Sequence, residues 1–328
     1  MTILLIILSL PIAMLIGCWF AFCTCFYSPA SHRASPDELV CGEQYDAVAA
    51  DIARITGIMK RYTFKEVTIR GYDGTRLYGR YYHLKDGAPI EVIFHGYRSH
   101  PFRDCSGGHA LSQKLGFNTL VLDQRAHGSS GGTCICFGIK ERYDCLQWIH
   151  YLNEQYGKDI PIILSGLSMG AATVLMSTSL ELPANVACII ADSPYSSPRA
   201  IIEKVCADRH YPVTICRPFI TLAARIFGNF SLDACTAKEA VRNSNVPILL
   251  LHGEADHFVP CQMSLEIAAN CASRVEVATF PGAGHGLCYM TDPVRYETVV
   301  CNFLQSVPAI CDTMNPDYLA YLRQINGK

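Results

Sequence analysis

The stretch Ile162-Ile163-Leu164-Ser165-Gly166-Leu167-Ser168-Met169-Gly170-Ala171-Ala172 constrains this chain more than any other. Its apolar, β-branched first half reads as a buried strand, and the small-residue segment from Met169 reads as a helix. Between them stands a serine with a glycine two residues away on either side. At so sharp a junction strand and helix pass close together, and a Cβ at either flanking position would collide with the opposing backbone. Glycine at 166 and 170 removes the collision. The spacing therefore predicts a strand, a tight turn with Ser168 at its apex, and a helix. Three matched positions are few, so the meaning of the turn depends on what the rest of the chain supplies.

Around this junction strands and helices alternate. Residues 66–70 and 77–83, joined by Gly71-Tyr72-Asp73-Gly74, read as a hairpin. Apolar strands are expected at 90–94, 118–122, 160–164, 186–191, 246–251 and 275–280. Helices are expected near 108–115, 139–156, 169–180, 260–272, 293–307 and 318–325. Strands alternating with helices at this spacing predict a mostly parallel sheet covered on both faces. Between Tyr195 and Asn245 the alternation stops, and Tyr211, Phe219, Phe227 and Phe230 fall on short helical segments. That stretch is expected to form a small helical cap insertion, about 195–245, inside a domain spanning 63–328.

The chain has 328 residues, half of them hydrophobic, enough for one large core, and its formal net charge is only −2. No basic stripe interleaved with aromatics is present, so nucleic acid is not an expected partner. The 17 cysteines are scattered. Cys23/Cys25 and Cys134/Cys136 lack the two-residue gap and the second half of a zinc site, so neither a metal nor another cofactor is expected. Several cysteines lie in apolar runs, where a thiol acts as a small hydrophobe.

Residues 2–27 carry no formal charge, a length sufficient to cross a bilayer, which takes roughly 20 apolar residues. Trp19, Phe20, Phe26 and Tyr27 crowd its end as interfacial aromatics do. Residues 1–27 are therefore expected to form an uncleaved, single-pass membrane anchor. Leu15-Ile16-Gly17-Cys18 offers the alternative of a lipidated Cys18, although the apolar run continues beyond it. Only Arg33 lies close by, which sets no side of the membrane. Residues 28–62 read as a linker followed by an amphipathic helix. Ser35-Pro36-Asp37-Glu38 has the form of a helix start, and Tyr45, Val48, Ile52, Ile55 and Met59 recur on one helical face.

If Ser168 is a nucleophile it needs a base, and the base needs an orienting acid. Such groups project from loops at the C-terminal ends of parallel strands. His252-Gly253-Glu254-Ala255-Asp256 follows the strand 246–251, and Gly284-His285-Gly286 follows the strand 275–280. Asp256 is the expected acid and His285 the expected base. Asp192, also at a strand end, is the rival acid, and Glu254 is a lesser alternative in the same loop. The developing oxyanion needs two N–H donors. The backbone of Met169 opens the helix, and that of Tyr97 follows His95-Gly96 at another strand end.

In these residues the chain resembles an α/β hydrolase, and in particular a bacterial branch with an N-terminal anchor and an Asp-Gly-x-x-Leu-x-Gly hairpin, here Asp73 to Gly79. Four signatures occur in order: His95-Gly96; Asp123-x-Arg125-x-x-Gly128-x-Ser130; the Ser168 turn; and His252-Gly253-x-x-Asp256-x-x-Val259-Pro260. The resemblance covers about Thr63 to Val307. It implies an α/β-hydrolase fold, Ser168, Asp256 and His285 as a catalytic triad, and Tyr97 and Met169 as the oxyanion hole. Arg125 and His127 are expected to brace their loop.

The expected activity is hydrolysis of a carboxylic ester or thioester through an acyl-enzyme, acting on a small-molecule or lipid-like acyl substrate. The aromatic insertion suggests an apolar acyl group. A peptidase or amidase and an acyltransferase would use the same residues, and a binding protein that kept the fold would need none of them.

Overall fold

The computed structural model describes residues 2–38 and 42–326. Eight strands form one sheet: β1 (Lys65–Arg70), β2 (Arg76–Tyr82), β3 (Ile90–Phe94), β4 (Asn118–Asp123), β5 (Ile162–Leu167), β6 (Val186–Asp192), β7 (Ile248–Gly253) and β8 (Val275–Phe280). Their order across the sheet is β1-β2-β4-β3-β5-β6-β7-β8. The hairpin β1/β2 and the pair β2/β4 are antiparallel, and every pairing from β4 to β8 is parallel.

Because the central strands are covered on both faces, they run as mostly apolar, buried stretches rather than alternating with exposed positions. β3, β4 and β7 are buried at every position. One face packs Phe94, Trp148, Leu164 and Met176 beneath the helices Glu141–Tyr156 and Met169–Ser177. The other packs Phe117, Ile163, Phe280 and Phe303 beneath the helices Ser106–Leu115 and Pro293–Gln305. This is the α/β-hydrolase fold, and its parallel strands deliver the loops after β3, β5, β7 and β8 to one edge.

The loop after β4 is braced by buried ion pairs. Arg125 Nε donates to Asp144 at 2.6 Å and Nη1 to Asp73, in the β1/β2 turn, at 2.9 Å. Arg80 and Asp123 pair at 2.7 Å in the core.

The N-terminal segment corrects the sequence reading. Among the described residues no helix is long and apolar enough to cross a membrane, so neither the single-pass anchor nor the membrane location and membrane partner inferred from it stands. The helix α1 (Thr2–Cys25) has another use for its apolar residues. Cys18, Phe22 and Phe26 are buried in the main core, while Ile16 and Phe20 on another side stay exposed. The ring of Phe26 meets Phe137 and Phe230 edge-on at 5.8 and 5.4 Å, and Trp19 meets Phe227 at 5.1 Å. The chain then pairs with the body, Ser28 N–H donating to Thr133 O and Ile135 N–H to Phe26 O. Arg33 reaches the carbonyls of Gly128, Ser130 and Gly132.

Two further differences are local. Ser35 N–H donates to Glu38 Oε2, but Ser35 Oγ accepts from Asp37 N–H rather than from Glu38 N–H, and residues 36–37 make only a turn. The expected continuous helix from Tyr45 divides at Val48 into a turn, Glu43–Asp46, and the helix Ala49–Met59, which buries Ile52, Ile55 and Met59. The stretch 195–245 contains helices and no strand among its described residues. Its Phe219, Phe227 and Phe230 pack toward α1 and its core neighbours.

Candidate active site

Ser168 sits in the turn between β5 and the helix Met169–Ser177 with φ 55° and ψ −113°, a conformation a non-glycine residue rarely adopts. Neighbouring backbone imposes it. A Cβ on Gly166 would lie 2.4 Å from the carbonyl carbon of Gly170, and one on Gly170 would lie 2.1 Å from Phe94 O. The Ser168 N–H is anchored on Asp192 O at 2.8 Å. The hydroxyl is thereby held above the end of the sheet.

His285, in the loop after β8, brings Nε2 to 2.9 Å from Ser168 Oγ, and its Nδ1 lies 2.7 Å from Asp256 Oδ2. Asp256 follows β7. Its Oδ1 accepts the N–H groups of Phe258 and Val259 at 2.9 and 2.8 Å, and its Oδ2 also lies 3.3 Å from His252 Nε2. Burial pushes this carboxyl up, but hydrogen bonds from His252 and His285 outweigh burial and hold it well below the usual carboxylate range. It is therefore an anion able to fix Nδ1–H of His285, which leaves Nε2 as an acceptor facing Ser168.

Asp192, the rival acid, accepts from Ser193 Oγ at 2.9 Å instead. Burial raises its carboxyl toward the neutral form. Glu254 is exposed and accepts from Thr279 Oγ1.

The loop after β3 carries Tyr97. His95 is buried beneath it, its Nδ1 donating to Gly96 O and its Nε2 accepting from Gln124 N–H. Burial lowers its basicity, so it braces the loop as a neutral ring. Gly96 N–H donates to Asp104 Oδ2 at 2.8 Å, and a Cβ at Gly96 would lie 3.6 Å from Ser168 Cβ. Among the described residues the N–H groups of Tyr97 and Met169 donate to no protein acceptor. The Tyr97 hydroxyl donates to Cys25 O at 2.8 Å, and Arg98 Nη2 reaches the carbonyls of Cys23, Thr24 and Tyr27. The end of α1 thus rests on this loop.

These groups open on a cavity of about 350 Å³. Gln44 and Tyr45, from the turn Glu43–Asp46, form part of its wall. Gln44 Oε1 accepts from His285 N–H and Tyr45 OH donates to His285 O, both at 3.3 Å. The sequence reading missed this role, because Tyr45 fits a helical apolar face and Gln44 carries no motif. Asp104 was missed likewise, lying eight residues beyond Gly96 without a recognisable spacing. The aromatic residues of 195–245 do not border the cavity, so they give no support to an apolar acyl preference. Among the described residues no group of His, Cys, Asp or Glu is arranged to hold a metal ion, and every described cysteine is a free thiol.

Comparison with known proteins agrees with this architecture. A family model described as "Serine aminopeptidase, S33" matches residues 90–231. The uncharacterised protein YqkD of Bacillus subtilis is 22% identical over 250 residues, 76% of this chain and 81% of that protein. The lysophosphatidylserine lipase ABHD12 of Macaca fascicularis is 26% identical over 168 residues, 48% of this chain and 39% of the lipase. Among solved structures, an esterase of Pyrococcus furiosus superposes with a TM-score of 0.63 at 22% identity, covering 82% of this chain and 97% of the esterase. Est1E of Butyrivibrio proteoclasticus, solved with ferulic acid bound, gives 0.56 at 20% identity, covering 74% and 99%. The chain thus has the α/β-hydrolase fold, and its residues 90–231 match a family model of that fold.

Proposed function

We propose that this hydrolase cleaves a carboxylic ester or thioester through an acyl-enzyme on Ser168. The observation that carries the reading is the unbroken contact from Ser168 Oγ through His285 to Asp256, at 2.9 and 2.7 Å, opening on a cavity. In this reading Ser168 Oγ attacks the carbonyl carbon as His285 Nε2 takes its proton. The oxygen that gains charge is met by Tyr97 and Met169 N–H. Collapse expels the alcohol or thiol, which takes the proton from His285. Water, deprotonated by the same nitrogen, then attacks the acyl-enzyme and releases the acid. Asp256 stays ionised throughout and stabilises the imidazolium. That relatives and structural neighbours bear the names esterase and lipase supports this choice of bond.

The test is labelling by a fluorophosphonate together with turnover of p-nitrophenyl butyrate. Both are expected in the native protein and lost in Ser168→Ala. A native protein that is folded, unlabelled and inert toward such esters would overturn the proposal. Amide cleavage is the second reading, favoured by the description of the matching family model. Release of nitroaniline from aminoacyl p-nitroanilides faster than ester turnover would establish it instead.

A further inference from the structure

The cavity before Ser168 is bordered by one cation that the reaction above does not use. Arg103 lies in the helical turn Pro101–Asp104, and among the described residues no other Lys or Arg borders this cavity. Its guanidinium is fixed in place. Nε donates to Asp104 Oδ1 at 3.1 Å, and Nη2 donates to Ser99 Oγ at 2.7 Å. Asp104 is occupied on both sides, since its Oδ2 accepts Gly96 N–H. Nη1 has no protein partner among the described residues, and the side chain is 20% exposed. Asp192, which borders the same space, accepts from Ser193 Oγ, and burial pushes its carboxyl pKa up.

We propose that Arg103 is a specificity-determining residue whose Nη1 edge receives an anionic oxygen of the substrate, a carboxylate or phosphate, while Ser168 attacks the ester carbonyl. The proposal rests on the hydrolase reading and deepens it. A guanidinium already held by two side chains loses little freedom on binding an anion, and a charge-assisted hydrogen bond in a partly dry cleft is stronger than one in water. The site is also close to the nucleophile. A Cβ built on Gly96 lies 3.0 Å from Asp104 Oδ2 and 3.6 Å from Ser168 Cβ, so the pair Arg103/Asp104 adjoins the loop that carries Tyr97. Arg103 and Ser168 thus line the same cavity, and one substrate can reach both.

The test compares matched esters on the full-length protein. Monomethyl adipate against dimethyl adipate places a carboxylate on the acyl side. 4-Acetoxybenzoate against its methyl ester places one on the leaving side. Hexanoylglycerol phosphate against hexanoylglycerol offers a phosphate. In at least one pair the native protein is expected to prefer the anionic member by about tenfold to a hundredfold in kcat/KM, the span of one charge-assisted hydrogen bond. The pair that shows it identifies the source. In Arg103→Gln that ratio is expected to fall to near one, whatever the rate on the neutral ester. A native ratio near or below one in all three pairs overturns the proposal without any variant, as does a preference that Arg103→Gln retains. If neutral esters are turned over and the fluorophosphonate labels Ser168 in that case, the hydrolase reading survives. If the native protein cleaves none of the six esters and is not labelled, it is the hydrolase reading that fails.

Discussion

Replacing Asp256 by asparagine tests the orienting role of its carboxylate at almost constant volume. Oδ1 accepts two backbone N–H groups, from Phe258 and Val259. The asparagine oxygen must take that place, because an NH₂ there would face two donors. Its NH₂ then falls where Oδ2 stood, 2.7 Å from His285 Nδ1. Two donors cannot share that contact, so the imidazole shifts its proton to Nε2 and presents N–H to Ser168 instead of a lone pair. The charge-assisted bond to the imidazolium, worth roughly 1.5–3 kcal/mol, is lost as well. The equivalent change in a serine protease triad lowers kcat about 10⁴-fold. For Asp256→Asn we expect kcat on p-nitrophenyl butyrate to fall by roughly 10²-fold to 10⁴-fold with little change in KM. Asp192→Asn provides the contrast. Its carboxyl accepts from Ser193 Oγ, whereas His285 Nδ1 meets Asp256, and we expect a change of less than about tenfold. Urea unfolding of both variants would show that they are folded. A folded Asp256→Asn protein within tenfold of native activity, or an inactive Asp192→Asn protein, would refute the assignment.

Gly170→Ala is expected to give insoluble or unfolded protein, since its Cβ would sit 2.1 Å from Phe94 O with only backbone to yield; solubility and thermal melting check this. Arg98→Met removes the donor to three carbonyls at the end of α1. We expect it to lower Tm by a few degrees and, through the Tyr97 loop, kcat more than KM, measured by melting and ester kinetics. Burial lowers the pKa of His100 and of His109 to about 4. A folded pKa below the unfolded value near 6.5 means that the unfolded chain binds more protons between them. The stability from keeping these rings neutral is present above pH 6.5 and is lost as pH falls from there toward 4. The urea midpoint should therefore be level above neutrality and decline through this window; a flat profile from pH 7 to 5 would contradict it.

The parts of the site that could be named from sequence are those where local backbone chemistry leaves a mark. Gly166 and Gly170 are required by contacts of 2.4 and 2.1 Å to backbone, and such contacts write themselves into composition. Asp256 and His285 follow apolar strands directly, so a strand pattern is enough to put them at one edge. Gln44, Tyr45 and Asp104 reach the cavity only through tertiary packing, and no spacing foretells that. The misreading of α1 has a related cause. A helix whose end packs against aromatic residues more than 100 positions away has the same uncharged composition as one in lipid. What distinguishes them is the complementary set, Phe137, Phe227 and Phe230, which cannot be assigned to that helix until the fold is known. The turn at Ser35 shows the converse, a helix-start pattern with only one of its two side-chain bonds made and only a turn at residues 36–37.

The seating of α1 bears on how this protein can be handled. A shortened form beginning near residue 28 would look harmless from the sequence, yet it would leave Phe137, Phe230 and Phe227 without the rings that cover them. It would also strip Tyr97 and Arg98 of their acceptors. Such a form would be sticky and, if it stayed in solution, weakly active for a reason remote from Ser168. Inactivity measured on a truncated chain would report a loosened Tyr97 loop, not the absence of a catalyst.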